Sequence, residues 1–221
     1  MKIIITGATG MVGRGVLLEC LDHPDVTRVL LVSRSSVGMT HGKLSELLHF
    51  DFSSFDAVAH QFEGYDAAFH CMGVTSAGLS EAQYTQLTYG ISEAFAKTLY
   101  DANPSMTVIY VSGAGTDSSE RGTTMWARVK GRTENMILNM GFRDAYAFRP
   151  GVILPERGVK SKTGWYNAAY VVLRPLFPLL KQMKSVTTTS AIGKAMIQLV
   201  LTPQHNKHVE GADINAVAGQ C

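Results

Sequence analysis

The sequence predicts an α/β protein with a doubly wound parallel sheet and helices on both faces. Three observations carry this. Apolar strand-like runs alternate with helix-like segments along the first 150 residues. The strands are near-continuous apolar stretches rather than alternating ones, as in a sheet covered on both faces. Glycines also cluster where the first strand meets the first helix: MKIIITGATGMVGRGVLLECL.

The elements follow in order. KIIIT, Lys2–Thr6, reads as a buried strand. MVGRGVLLECLDH reads as a helix, with Val12, Val16 and Leu17 on one face. RVLLVSR (Arg28–Arg34) is a second strand, ELLHF (Glu46–Phe50) a third and DAAFHCM (Asp66–Met72) a fourth. A long helix spans Ser80 to Ala102, with Leu87, Ile91, Ala94, Phe95 and Leu99 at helical spacing, and Asn103-Pro104 stops it. MTVIYVS is a fifth strand. A helix begins before Trp126 and runs to about Met140. DAYAFR is a sixth strand, ended by Pro150-Gly151. The segment from Ser161 to Thr202 reads as mainly helical, and Asp213–Ala218 as a last short strand.

Composition narrows the classes. The 221 residues suit a single domain over 1–221, with 155–205 as a substrate or lid region. Hydrophobic residues at 46% and charged residues at 17% supply a core and argue against disorder. A net charge of +2 is too small to argue for nucleic acid. Basic residues gather locally at Arg157, Lys160, Lys162, Arg174, Lys181 and Lys184. This is read as a solvated surface, with an anionic substrate or a peripheral membrane contact as the alternative. The apolar stretch YNAAYVVLRPLFPLL contains Arg174, Pro175 and Pro178, so no transmembrane segment is expected. Cys20, Cys71 and Cys221 are odd in number and show no metal spacing, which predicts reduced thiols and a cytoplasmic location. The first residues contain no signal-peptide core, because glycine interrupts the apolar run after Ile5. The histidines have no ligand spacing, and no metal is expected.

The glycines have a chemical reading. At Gly7, Gly10 and Gly13 the chain must turn, admit a pyrophosphate close to the backbone, and pack a helix onto the sheet. The helix N-terminus then offers free N–H groups and positive partial charge to phosphates. Thr9, Met11, Val12 and Arg14 share this turn. No Lys-Ser/Thr pair follows, which excludes a Walker-type loop. About twenty residues on, where a carboxylate would bind the 2′-hydroxyl of NAD, the chain has Ser33, Arg34 and Ser35. A guanidinium can fork onto a 2′-phosphate, so NADP(H) is expected over NAD(H).

The spacing TGATGMVG, read as TGxxGxxG, resembles the short-chain dehydrogenase/reductase superfamily. The likeness is to its atypical or extended branch of NAD(P)-dependent epimerase/dehydratase-like and Tat-interacting-protein-like oxidoreductases. It covers Met1 to about Pro155 and implies a Rossmann-type fold. It also implies an adenine contact at Asp51-Phe52, a turn past the adenine ribose at Cys71-Met72-Gly73, and a segment beside the nicotinamide at Pro150-Gly151-Val152-Ile153. The family's catalytic serine, tyrosine and lysine map onto Ser112, Trp126 and Lys130. The tyrosine is therefore replaced by tryptophan, whose indole N–H exchanges no proton near neutral pH. A serine-hydrolase role for Ser112 is excluded, because no GxSxG surrounds it.

Three readings stay open for the site. Another acid, such as Tyr166, a substrate group or water, replaces the tyrosine; the protein senses NADP(H) without turnover; or Trp126 shapes a pocket for chemistry that needs no proton relay. The expected partner is an unidentified small-molecule substrate, with the chain a monomer or homodimer.

Overall fold

A computed structural model of the chain describes residues 1–159, 183 and 185–220. Its elements are β1 (Lys2–Thr6), α1 (Met11–Asp22), β2 (Arg28–Ser33), β3 (Leu44–Leu48), β4 (Ala67–His70), α2 (Glu81–Thr85), α3 (Ile91–Ala102), β5 (Thr107–Val111), α4 (Met125–Leu138), β6 (Asp144–Arg149), β7 (Val152–Leu154), β8 (Val186–Thr188), α5 (Thr189–Leu201), β9 (His208–Glu210) and α6 (Gly211–Ala218). Seven strands form one sheet in the order β3-β2-β1-β4-β5-β6-β9, and every pairing is parallel. β7 and β8 form a separate parallel pair.

Alternate strand residues feed two cores. Ile3, Ile5, Leu31, Phe69, Ile109 and Phe148 pack toward α1, α5 and α6. Ile4, Leu30, Val32, Ala68, Val108 and Tyr110 face the opposite layer, where Phe95 and Leu99 of α3 and Ile137 of α4 cover them. Burial on both faces is why the strands read as continuous apolar runs. Chain order along the sheet reverses between β1 and β4. In such sheets the crevice at the carboxyl ends of those strands is where ligands bind.

The long helix begins at the expected place. Ser80 caps it in a reciprocal box with Gln83. A π-helical turn, Gln86–Gly90, lies between α2 and α3. This wider turn rotates the buried face, so Tyr84, Thr88, Ser92, Phe95 and Leu99 point inward, whereas Leu87, expected in the core, is exposed.

Three boundaries differ from expectation. β3 starts at Leu44 rather than Glu46, because its register is set by pairing Leu44–Leu48 with Val29–Ser33, and this leaves Phe50 beyond the strand and 75% exposed. Asp213–Ala218 is helical, not a strand. Glu210 and Asp213 form a capping box, and Ile214 and Val217 are buried at helical spacing, so the last strand is His208–Glu210 just before it. Within the expected lid, 155–205, β8 and α5 are described, and α5 is a layer of the domain itself. It buries Ile192, Ala195, Met196, Ile197 and Leu199 against α1 and the sheet. The expected helix over YNAAYVVLRPLFPLL, and Tyr166 and Cys221, lie outside the described residues.

The α1–α5 contact sets how closely both helices sit on the sheet. A Cβ at Gly15 would fall 2.5 Å from the Cβ of Thr189, closer than side chains approach. Gly15→Val is therefore expected to lower stability by about 1–3 kcal/mol, the usual cost of overpacking. Gly42→Val, where a Cβ meets nothing within 4 Å, should leave the urea midpoint nearly unchanged. Equal midpoints for the two variants would show that this helix contact is loose.

Candidate functional site

The glycine turn is built by close backbone contact. Gly7 has φ +79, a left-handed conformation, and a Cβ there would lie 2.5 Å from the Cys71 carbonyl oxygen. A Cβ on Gly13 would lie 2.5 Å from the Gly7 carbonyl oxygen. β4's end, the turn and the first turn of α1 are thus stacked with no room for side chains. Gly10 is the N-cap, no side chain caps α1, and its first turn carries no acid. The N-terminal amides are left to meet an anion.

The predicted cofactor residues gather beside this turn. Arg34, Asp51, Phe52, Met72 and Gly73 line a cleft of about 530 Å³. Thr9, Gly10, Arg14 and Ser35 line a second concavity of about 350 Å³, so the neighbours Arg34 and Ser35 divide between the two. Arg14 Nη1 donates to the Val37 carbonyl at 3.3 Å. The buried Ser33 hydroxyl donates to the Ser35 carbonyl at 2.7 Å and shapes the strand end rather than facing a ligand. Glu46 accepts from Ser36 Oγ at 2.6 Å and from the Val37 amide at 2.8 Å, so its carboxylate is occupied in holding this loop. Asp51 accepts from the amide and hydroxyl of Ser53, which hold its carboxyl below the usual range. An edge-on pair of Phe52 and Phe55, with ring centroids 5.3 Å apart, seats that loop on the core.

The cleft is also lined by residues that the sequence pattern did not mark, His70, Gln86, Thr88 and Ser92, and by Leu87, expected in the core. His70 is buried, with Nδ1 2.7 Å from Thr6 Oγ1 and Nε2 2.9 Å from Ser92 Oγ. Ser92 donates its proton to the Thr88 carbonyl at 2.6 Å. It must therefore accept from His70 Nε2–H, and Nδ1 accepts from Thr6. Burial pushes His70 down to about 4, so the imidazole is neutral at physiological pH. A lone histidine in the apolar run AAFHCM was the available signal.

A second cluster sits at the ends of β5 and β6. Lys130 Nζ donates to the Ser112 carbonyl oxygen. The Ser112 hydroxyl points the other way, donating to Glu134 and to the Phe148 carbonyl at 3.1 Å, and the residue is buried. Next along the chain, Gly113 also borders the lysine. Its φ is +135, and a Cβ there would lie 3.9 Å from Lys130 Nζ and 4.0 Å from the Pro150 carbonyl oxygen. Pro150 accepts from the Ala114 amide at 2.9 Å, which ties the two loops together. Trp126, one turn before Lys130, is half-buried, and its ring edge lies 3.5 Å from the Cβ position of Gly115. Gly151, Val152 and Ile153 continue into β7, where Val152 is exposed and Ile153 pairs with Thr187. Among the described residues no group of acids, histidines and cysteines could hold a metal ion, and no helix is long and apolar enough to cross a membrane.

A doubly wound parallel sheet with a glycine turn at its switch point defines a nucleotide-binding class of protein. Residues 3–122 match the NAD dependent epimerase/dehydratase family, and the chain belongs to that family. A nicotinamide dinucleotide is accordingly its cofactor, and the capless helix start and glycine turn fit one. Among similar proteins, "Protein FMP52, mitochondrial" of Meyerozyma guilliermondii is 26% identical over 227 residues, covering 99% of this chain and 95% of that one. The protein of that name from Candida albicans is 27% identical over 161 residues, covering 71% and 69%. The fold is shared with the ADP-L-glycero-D-manno-heptose-6-epimerase of Helicobacter pylori (TM-score 0.68, 14% identity, 99% and 81% covered). It is also shared with the oxidoreductase ylbE of Lactococcus lactis (TM-score 0.63, 17% identity, 91% and 85% covered). The names of the sequence relatives place them in mitochondria, which overturns the cytoplasmic location read from the cysteines. Unpaired thiols report a reducing environment, and that does not single out one compartment.

His70 predicts a pH dependence of stability. Its folded value, about 4, lies below the unfolded value near 6.5, so the unfolded chain binds the proton first. Stability is intact above pH 6.5 and falls on acidification toward pH 4, by roughly 3 kcal/mol. His70→Gln should flatten that part of the urea-unfolding profile. An unaltered acid slope in this variant would assign the loss to other groups.

Proposed function

We propose that the chain is an NADP(H)-binding oxidoreductase or epimerase/dehydratase-like enzyme acting on a small molecule, with an active site that lacks the family's tyrosine. The observation that carries the cofactor preference is the composition of the loop after β2. Arg34 and Ser35 open onto the two concavities, Arg14 stands beside them, and the nearby carboxylate, Glu46, is held by Ser36 and Val37. Two guanidinium groups at this loop suit a 2′-phosphate. In this reading Gly7, Gly10 and the α1 amides hold the pyrophosphate, Asp51, Phe52, Met72 and Gly73 surround the adenosine, and Lys130 holds the nicotinamide ribose. The bound dinucleotide supplies or accepts a hydride. The protein's part is to orient it between Pro150–Ile153 and Trp126, and to exclude water with the indole.

A second reading, a sensor of NADP(H) without turnover, is favoured by one feature. Beside Lys130 stand Trp126 and Gly113, and neither carries a proton-transferring side chain. The Ser112 hydroxyl, the third expected group, is turned to Glu134.

Two measurements test these readings. By fluorescence titration, NADPH should bind at least several-fold tighter than NADH, and Arg34→Ala should remove most of the difference. A charge-assisted hydrogen bond contributes roughly 1.5–3 kcal/mol, enough for tenfold. Equal affinities in the parent would overturn the preference. Trp126→Tyr should raise NADPH-dependent reduction of an activated ketone by about 10-fold or more, within the range for one general acid, with Lys130→Met in that background as control. A folded, NADPH-binding variant with no gain would place proton transfer elsewhere.

A further inference from the structure

Helix α4 carries Trp126, Lys130 and Glu134 at four-residue intervals, so the three share a face. Glu134 is the member with no place in the cofactor reading. Its side chain is 0% exposed, a carboxylate inside the protein. Its Oε1 accepts from Ser112 Oγ and, at 3.0 Å, from Arg149 Nε. Its Oε2 accepts from Arg149 Nη2, and His208 Nε2 stands 3.7 Å away. Arg149 also donates to Ser118 Oγ and approaches Glu210 at 3.4 Å.

Stability alone gives no reason for this pair. Desolvating two charges offsets most of their attraction, and apolar residues of similar volume often serve a core as well or better. What the pair does is connect the ends of β5, β6 and β9 to α4 at the level of Lys130. Ser112 is the meeting point, because its hydroxyl donates to Glu134 while its carbonyl accepts from Lys130. Two charged residues one helical turn apart therefore grip one backbone residue from two sides.

We infer that Glu134 is a positioning residue for Lys130: through Ser112 it holds the carbonyl that receives the ammonium, and its charge, one turn away, balances that ammonium. The inference rests on Lys130 facing the dinucleotide, as proposed above. The charged and titratable groups around Glu134 are Lys130 on its own helix, Arg149 from β6, and His208 and Glu210 from β9. From β5 comes Tyr110, a phenol that burial keeps neutral. Burial pulls the Lys130 ammonium below the usual lysine value, and Glu134 opposes that pull. With a neutral residue at 134, burial acts unopposed and the Arg149 charge loses its buried partner, keeping the contact to the exposed Glu210. Both changes favour the neutral amine, so Lys130 should lose its proton at lower pH.

The test reads Lys130 directly, by competitive acetylation with acetic anhydride from neutral to alkaline pH and mass analysis of the Lys130 peptide. Glu134→Gln should move the Lys130 midpoint down by about one pH unit or more. Because this variant takes the buried partner away from Arg149, the double variant Glu134→Gln/Arg149→Gln, which removes both charges, is measured beside it and should shift the same way. Ser112→Ala should weaken NADPH binding several-fold, and Ser112→Thr, which keeps the hydroxyl, should restore it. An unchanged midpoint in a folded variant overturns the inference. So does failure of both charge variants to fold, which assigns Glu134 to the fold alone. The labelling needs no dinucleotide, so a parent that binds no NADPH would overturn the proposed function without moving this midpoint.

Discussion

Backbone crowding at Gly7 is the constraint on which the rest of the site depends. The turn between β1 and α1 runs so close to the end of β4 that a single Cβ would overlap the Cys71 carbonyl, and the residue also needs a positive φ. Gly13 then lets the first turn of α1 rest on Gly7 itself. These two contacts bring an uncapped helix start down onto the sheet at the point where the strand order reverses. The N–H groups and the positive end of the helix face the crevice because no side chain separates the three layers. Every other residue proposed to meet the cofactor is positioned relative to that point by the strand that ends beside it.

The two halves of the site use different physics. In the cleft proposed for the adenosine, a neutral histidine, two hydroxyls and a π-helical turn lie beside exposed apolar side chains such as Phe50. The His70 nitrogens are satisfied internally by Thr6 and Ser92, and the Ser92 hydroxyl by the Thr88 carbonyl, so the histidine presents shape more than charge. At the ends of β5 and β6 the organising element is the α4 face that carries an indole, an ammonium and a carboxylate in succession. The indole borders the backbone at Gly115, the ammonium is fixed on a carbonyl, and the carboxylate is locked to Arg149. That half is rich in fixed charge, with its lysine held on a carbonyl and its carboxylate turned to Arg149. This contrast is the physical basis for weighing a modified enzyme against a sensor.

Much of this was legible in the residues. Local pattern determined the strands β1, β2, β5 and β6, the long helix with its Ser80 cap, and the glycine turn, because each depends on periodicity, capping or steric need within a few residues. That the segments expected at the cofactor share one edge was legible, because parallel strands deliver their carboxyl ends there. Only tertiary structure decided the rest. The edge of β3 followed its pairing with β2, and the last strand went to His208–Glu210 because Glu210 and Asp213 cap the helix after it. His70 became a cleft residue because Thr6 and Ser92, distant in sequence, meet its two nitrogens. The side-chain direction of Ser112 was invisible for the same reason. Its identity and place at the end of β5 suited a substrate-facing hydroxyl, but whether it faces the cleft or the core is decided by Glu134 and Phe148, which approach from other elements. Sequence spacing reports which residues share a strand or a helical face; hydrogen-bond partners from separate elements determine which way a short polar side chain turns.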